Sequence, residues 1–281
     1  MVATAGAALA EKKRAENFPV ALRILPRDLR RDLGAVYDVV RVIDDLGDES
    51  AGDATAALLR FRKDLARAWE GAPEEPVLRR LVPTIRARRL DREPFDRLVL
   101  ANLQDQRITR YATQAELEAY CALSANPVGR IVLRIFGAES ADSSEAARAS
   151  DLVCTALQLL EHCQDVAEDR RKGRIYLPQE DLKAFSVAEE DLDAVSASRG
   201  LRGVVAAQTG KAQDQLRQGA VLVSQVHGWA RPAISGYVAG GLATAEALRR
   251  ARWDVLSATP RPRKRDVLRH LAVLMVWGGR R

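Results

Sequence analysis

The sequence predicts an all-α protein, and three observations carry that prediction. Apolar residues return every three to four positions along most of the chain, the spacing of one buried helix face. The composition is rich in Ala, Leu, Arg and Glu and only 5% aromatic, which favours helices over sheets. Nowhere do several alternating runs bounded by turn residues occur, as a sheet requires. With 47% hydrophobic residues in a chain of 281, a sizeable core can be buried. No low-complexity linker divides the chain. A single domain over residues 1–281 is therefore expected, with residues 1–15 a flexible N-terminal segment.

The first helix is expected in "PRDLRRDLGAVYDVVRVIDDLGDE", residues 26–49. Pro26 suits its first turn, where a missing N–H costs nothing. Residues 54–71 repeat the pattern and stop at Gly71, a helix-ending residue. Shorter helices follow over 76–89, 94–107 and 113–123, and Pro127 opens another in "PVGRIVLRIFG". A long apolar helix is expected over 143–169. Later ones cover 201–226, 232–256 and 264–277.

Several function classes are disfavoured. Cys121, Cys154 and Cys163 form no CxxC pair and lie in apolar-periodic segments, which argues against a disulfide framework or zinc site and fits a reducing cytoplasm. His162, His227 and His270 form no HExxH pattern. The early run "VATAGAALA" is followed rather than preceded by charge, a poor signal peptide. No run reaches the roughly 18 apolar residues of a membrane span. The net charge is +6, but the basic residues are dispersed and not interleaved with aromatics, so no nucleic-acid partner is expected. Anionic lipid and a polyanionic substrate remain as partners for that charge.

Two acidic faces carry the chemistry. Asp44 and Asp48 are four residues apart near the C-terminal end of the first helix, with Asp45 between them and Tyr37 and Arg41 on the same face. Acids there oppose the helix dipole and repel each other, so the face is costly unless a cation sits on it. The pattern recurs at Asp165 and Asp169, with Glu161 one turn earlier. Two such faces opposed across a bundle would raise each other's pKa unless bridged by a hard divalent cation. Mg²⁺ suits them, since it is commonly held by one or two carboxylates plus substrate phosphates. Arg170, Arg171, Lys172 and Arg174 follow at once, placed to meet a diphosphate or to cover the mouth of the cavity. A metal-bridged acidic pair with a basic rim describes a site that removes diphosphate from an apolar substrate.

The blocks "YDVVRVIDDLGDE", "TRYATQAELEAYCALSANPVGR" and "QDVAEDRRKGRIYLP" resemble, in order and spacing, the signature blocks of the squalene/phytoene synthase family. The resemblance runs from about Glu16 to the basic segment near Arg265. "ENFPVA" at residues 16–21 and "SANPVGR" at 124–130 are most similar to its bacterial hydroxysqualene synthase branch of the hopanoid pathway. The resemblance implies an isoprenoid synthase-type helical bundle around a central apolar cavity. It implies Mg²⁺ held by Asp44, Asp48, Asp165 and Asp169, with Asp45 in support. It implies that Arg41, Arg110, Tyr111, Arg174 and Tyr176 bind or position diphosphate with Tyr37, and that Gln158 lines the cavity. Glu161 departs from the asparagine many relatives carry there and leaves the number of metal ions open. His162 and Cys163 are expected to pack on the back of their helix. Residues 127–136 and 152–160 should supply apolar wall, Val128 and Ile131 among them.

The expected reaction is ionisation and rearrangement of presqualene diphosphate, with water capturing the cation. A head-to-head synthase that joins two prenyl diphosphates such as farnesyl diphosphate is the alternative. A non-catalytic assembly or lipid-binding member is the third reading, against which the intact Asp pairs argue. The expected setting is cytoplasmic and peripheral at the inner membrane, with transient membrane contact through basic helical surface such as residues 261–270, alongside other pathway enzymes.

Overall fold

The structure, a computed structural model, describes residues 25–48, 52–138 and 144–277. The segment 1–15 and the "ENFPVA" stretch lie outside the described residues. The helices in chain order are α1 (Arg27–Asp48), α2 (Ala54–Glu70), α3 (Pro76–Arg88), α4 (Glu93–Asp105), α5 (Gln114–Ser124), α6 (Asn126–Ile135) and α7 (Ser144–Gln164). They continue as α8 (Val166–Arg171), α9 (Gln179–Ala184), α10 (Arg199–Gly219), α11 (Leu222–Gln225), α12 (Ala230–Arg250) and α13 (Lys264–Trp277). A 3-10 turn covers Glu189–Asp193. No strand occurs among the described residues, only an isolated parallel bridge between Arg110 and Ile175.

Local sequence explains the ends. The Asp53 carboxylate accepts a hydrogen bond from the Ala56 N–H to start α2, and Gly71 closes it at φ 82°. Thr113 starts α5 by accepting from the Glu116 N–H, while the Glu116 carboxylate accepts from the Ala112 N–H. Pro127 lies in the first turn of α6, two residues after the α5–α6 break at Ala125. Its ring removes the N–H that would have continued the α5 ladder.

Three long expected helices end or break earlier than periodicity suggested. The helix over 143–169 bends at Asp165 (φ −103°, ψ 14°). Backbone hydrogen bonds from Asp165 to Glu161 and from Asp169 to Asp165 span the bend, so the apolar period passes through it unbroken. The helix over 201–226 stops at Gly219 and resumes as the single turn α11. The one over 232–256 starts earlier, at Ala230, and stops at Arg250. The short α9 and the 3-10 turn escaped notice because neither is long enough to show a period.

Two apolar clusters form the interior. One gathers α1–α4 and α6 with the start of α7, α11 and the start of α12. The other gathers α5, the rest of α7, residues 175–177, α10 and the rest of α12. α7 and α12 belong to both, so their middles lie where the clusters meet, and there the packing leaves a cavity. The fully buried Asp32 of α1 is satisfied within the first cluster by the Arg88 guanidinium at 2.7 Å and the Thr84 hydroxyl at 3.2 Å.

Candidate active site

An apolar cavity of about 270 Å³ lies between α1, α5, α6, α7, α11 and α12. Its wall includes Val128 and Val132 of α6, Val153 and Leu157 of α7, and Leu222, Ile234 and Tyr237 beyond. Ile131 turns away into the core, because residue 132, one turn after Val128, faces inward instead. Gly129 lets α6 approach α7 closely: a Cβ there would meet Ser150 Oγ at 2.5 Å and Cys154 Sγ at 2.6 Å. A second, polar chamber of about 310 Å³ adjoins it. Val40, Asp44, Ser124, Gln158 and Glu161 line both and form the neck between them.

The polar chamber draws charge from two sides. α1 contributes Arg41, Asp44 and Asp48. The C-terminal end of α7, the bend and α8 contribute Glu161, Asp165, Glu168 and Asp169, followed by Lys172, Arg174 and Tyr176. The turn after α8 is built by Gly173 (φ 79°), whose N–H donates to the Arg170 carbonyl while the Arg174 N–H donates to that of Asp169. This paired closure of a helix end requires the left-handed conformation glycine adopts without strain. It sends the chain back across the mouth, where Arg174 reaches Asp48 at 2.7 Å and Lys172 reaches it at 3.2 Å. Beyond the turn, the Ile175 N–H donates to the Thr109 carbonyl and the Gln179 N–H to that of Tyr111, docking the segment against residues 109–112.

Not every sequence-expected residue reaches the chamber. Asp45 pairs with Arg41 at 2.9 Å on the helix flank and does not line the chamber, and neither does Tyr37. Arg110 grips Glu189 through two hydrogen bonds of 2.7 and 2.9 Å and donates to the Gly173 carbonyl at 2.7 Å. It thereby braces the basic turn from behind. Tyr111 is buried and lies 5.8 Å from Tyr176, ring centre to ring centre. Arg170 points outward to Asp193, 2.7 Å away, and Arg171 is exposed.

Other chamber residues went unremarked or misread in the sequence. Asn102 donates to Asp44 at 3.2 Å. The Tyr120 hydroxyl donates to the buried Asp105 at 2.5 Å. His162, expected on the back of its helix beside the buried Cys163, instead lines the chamber and stacks on Tyr176 at 3.9 Å. A signal existed for two of them. Asp105 keeps the phase of Leu98 and Ala101, and His162 that of Leu159 and Val166, so each is a polar residue on an apolar stripe.

Seven carboxylates and three cationic side chains line the chamber. The imbalance shows in their titration. Asp44 is open to the cavity yet walled by protein, and this desolvation raises its carboxyl to about 6 against the opposing hydrogen bond from Asn102. Burial and then repulsion from Asp165 raise Asp169 to about 7. Asp165 is raised as well, first by burial and then by Glu168. Burial lifts Asp105 to about 6 despite the Tyr120 hydrogen bond. Asp48 goes the other way: desolvation pushes it up, but Arg174 and Lys172 outweigh that and hold it low. Burial alone takes His162 down to about 3, so its ring is neutral near pH 7. Among the described residues, no three His, Cys, Asp or Glu side chains converge as a ready-made metal site. Asp44 and Asp48 stand on one wall, Glu161, Asp165, Glu168 and Asp169 on the other, and Asp105 of α4 joins them, so negative charge is in surplus. That donor set fits hard cations completed by phosphate oxygens.

Comparison with known proteins places the chain in a family. The profile of the Squalene/phytoene synthase family matches residues 12–267. The crystal structure of squalene synthase HpnC from Alicyclobacillus acidocaldarius is 42% identical, with a TM-score of 0.78, covering 84% of this chain and 89% of that one. A presqualene diphosphate synthase of Rhodopseudomonas palustris is 35% identical over 193 residues, 68% of each chain. A hydroxysqualene synthase of Zymomonas mobilis is 32% identical over 218 residues, 75% of this chain and 71% of that one.

Proposed function

The chain belongs to the squalene/phytoene synthase family, whose members are enzymes acting on prenyl diphosphates, and from that premise we propose that it is a hydroxysqualene synthase. In this reading presqualene diphosphate ionises, the cation rearranges, and water captures it to give hydroxysqualene. The observation that carries the reading is the pair of joined chambers, one apolar and one rich in carboxylates with a basic rim. The 42% identity to the HpnC structure and the Asn126–Arg130 segment beside the apolar chamber support this branch.

Arg174 and Lys172 would exchange Asp48 for the diphosphate as it enters, so charge is met by charge throughout. Asp44 and Asp48 on one wall and Asp165 and Asp169 on the other would hold Mg²⁺, with Glu161 beside them. When bound, Mg²⁺ supplies Lewis-acid stabilisation of the departing diphosphate. Asn102 would orient Asp44 for that task. Val128, Val132, Val153 and Leu157 keep bulk water from the isoprenoid chains while the cation rearranges. The expected setting is the cytoplasmic face of the inner membrane, where so apolar a substrate and product reside.

The second reading is a presqualene diphosphate synthase that condenses farnesyl diphosphate, favoured by the 35% identical relative of that name. Purified protein with Mg²⁺ and no NADPH, given presqualene diphosphate in ¹⁸O-water, should release diphosphate and form a labelled C30 alcohol. Given farnesyl diphosphate alone, it should do little. Rapid consumption of farnesyl diphosphate with accumulation of presqualene diphosphate or a C30 polyene would select the second reading.

A further inference from the structure

Two glycines stand side by side in the middle of α12, Gly240 and Gly241. Neither has a positive φ, so the backbone itself asks for no glycine. Glycine inside a helix is less stable than alanine there, and at Gly240 nothing lies within 4 Å of a would-be Cβ. Gly241 differs. A Cβ on it would meet Leu157 Cδ2 at 2.8 Å and Leu216 Cδ1 at 2.8 Å. Here the missing side chain makes room for two others.

The two neighbours are not alike. Leu216 of α10 is 0% exposed within the second cluster, where close packing leaves it little space to yield into. Leu157 of α7 is only half-buried and lines the apolar chamber. It comes one turn before Glu161 of the neck and so stands at the neck end of that chamber. Ile234 and Tyr237 of α12 line the same chamber, and Gly241 is the next position on their helix face, one turn beyond Tyr237. Gly241 itself is buried and does not line the chamber. It acts from behind. With no Cβ it lets Leu157 lie back against α12, and a methyl there would press Leu157 toward the chamber it borders.

That width has a chemical use. In presqualene diphosphate both isoprenoid chains leave a cyclopropane ring that lies one carbon from the diphosphate oxygen. With the diphosphate among the charges, the two chains must lie side by side just below the neck. A single-chain prenyl diphosphate puts only one chain there. Building on the presqualene diphosphate reading, we propose that Gly241 is a specificity-determining residue: by letting Leu157 lie back, it keeps the neck end of the apolar chamber wide enough for a two-chained diphosphate. Gly241 does not touch the substrate. It governs which diphosphate fits, through the position of Leu157.

The test measures Kd in the full-length protein, with Mg²⁺, for the S-thiolo analogues of presqualene diphosphate and farnesyl diphosphate, whose C–S bonds resist ionisation. Gly241→Ala should weaken binding of the two-chained analogue about tenfold or more and of the single-chained one no more than about twofold. Adding Leu157→Ala to Gly241→Ala should return the ratio of the two to within about threefold of wild type, while adding Leu216→Ala should not. Gly240→Ala, the same change made in open space, should leave the ratio at its wild-type value. Should Gly241→Ala fail to fold, Leu157→Phe adds bulk at the same wall and should show the same selective loss. Equal weakening of both analogues, or none, in whichever of these two variants folds overturns the proposal. So does rescue through Leu216 alone, which would mark a packing fault in the second cluster, and so does a wild type that does not bind the two-chained analogue. Diphosphate release is read separately. A wild type that condenses farnesyl diphosphate but ionises no presqualene diphosphate sinks the hydroxysqualene reading, and the Kd ratio still decides the role of Gly241.

Discussion

Asp44 and Asn102 show how a single contact shapes the site. Asp44 stands at the neck with its carboxyl raised to about 6 by desolvation, and the Asn102 amide is the chief group opposing that rise. The two should separate kinetically. If Asp44 holds Mg²⁺ as proposed, Asp44→Asn removes an anionic ligand and should lower turnover by ~100-fold or more, about 2.7 kcal/mol of lost leaving-group stabilisation. Asn102→Ala leaves the ligand but not its orientation. It should raise the Mg²⁺ concentration needed for half-maximal rate by ~10-fold, with a near-normal rate at saturation. Titrating Mg²⁺ against initial rate in both variants checks this, and indistinguishable titration curves would remove Asn102 from the site.

At the scale of elements, the turn after α8 decides where the basic rim lies. Gly173 sits at φ 79° with open space around its would-be Cβ, so Gly173→Ala meets no clash and isolates the backbone cost. That substitution should destabilise by ~1 kcal/mol, read as a lower melting temperature, and should also weaken substrate binding as Lys172 and Arg174 shift. Glu189 braces the same turn through Arg110 and Arg170. The Arg110 hydrogen bond, against a smaller desolvation effect, holds Glu189 below the usual 4.5. A depressed carboxyl stabilises the fold above its unfolded value, and that contribution is lost as pH falls through its lower folded value. Glu189→Gln should therefore have a lower urea midpoint than wild type at pH 6, with the gap closing as the pH falls below 4.5. A gap that widened in acid would contradict this brace.

On the scale of the whole molecule, the question is how so apolar a substrate reaches the cavity. No described helix is long and apolar enough to cross a membrane. α13 packs on α12 but leaves Leu268 (63%), Val273 (51%) and Val276 (58%) exposed, beside exposed Arg261, Arg263, Lys264 and Arg265. An apolar strip flanked by cations suits an anionic bilayer surface, with each cation contributing about 1 kcal/mol. The double variant Arg261→Glu, Arg263→Glu should bind anionic vesicles at least ~30-fold more weakly at low salt, the loss of about 2 kcal/mol. Sedimentation with neutral and anionic liposomes measures it. Equal partitioning of the wild type onto both would exclude the electrostatic attraction.

The helical class, most helix positions and the two Asp-x-x-x-Asp pairs were legible because each rests on local spacing. Apolar period, capping residues and i, i+4 carboxylates are properties of a few consecutive residues. The bend at Asp165, the outward turn of Arg170 and the bracing role of Arg110 were not, because each depends on what another segment places nearby. Lys172 was grouped in advance with three other cations. Only the left-handed Gly173 turn singles out Lys172 and Arg174 to face Asp48. The sequence by itself determined which residue types could hold diphosphate and metal. The tertiary structure decided which of them meet, and it alone set Gly241 behind Leu157 at the chamber wall, since burial and close approach exist only once distant helices are packed together.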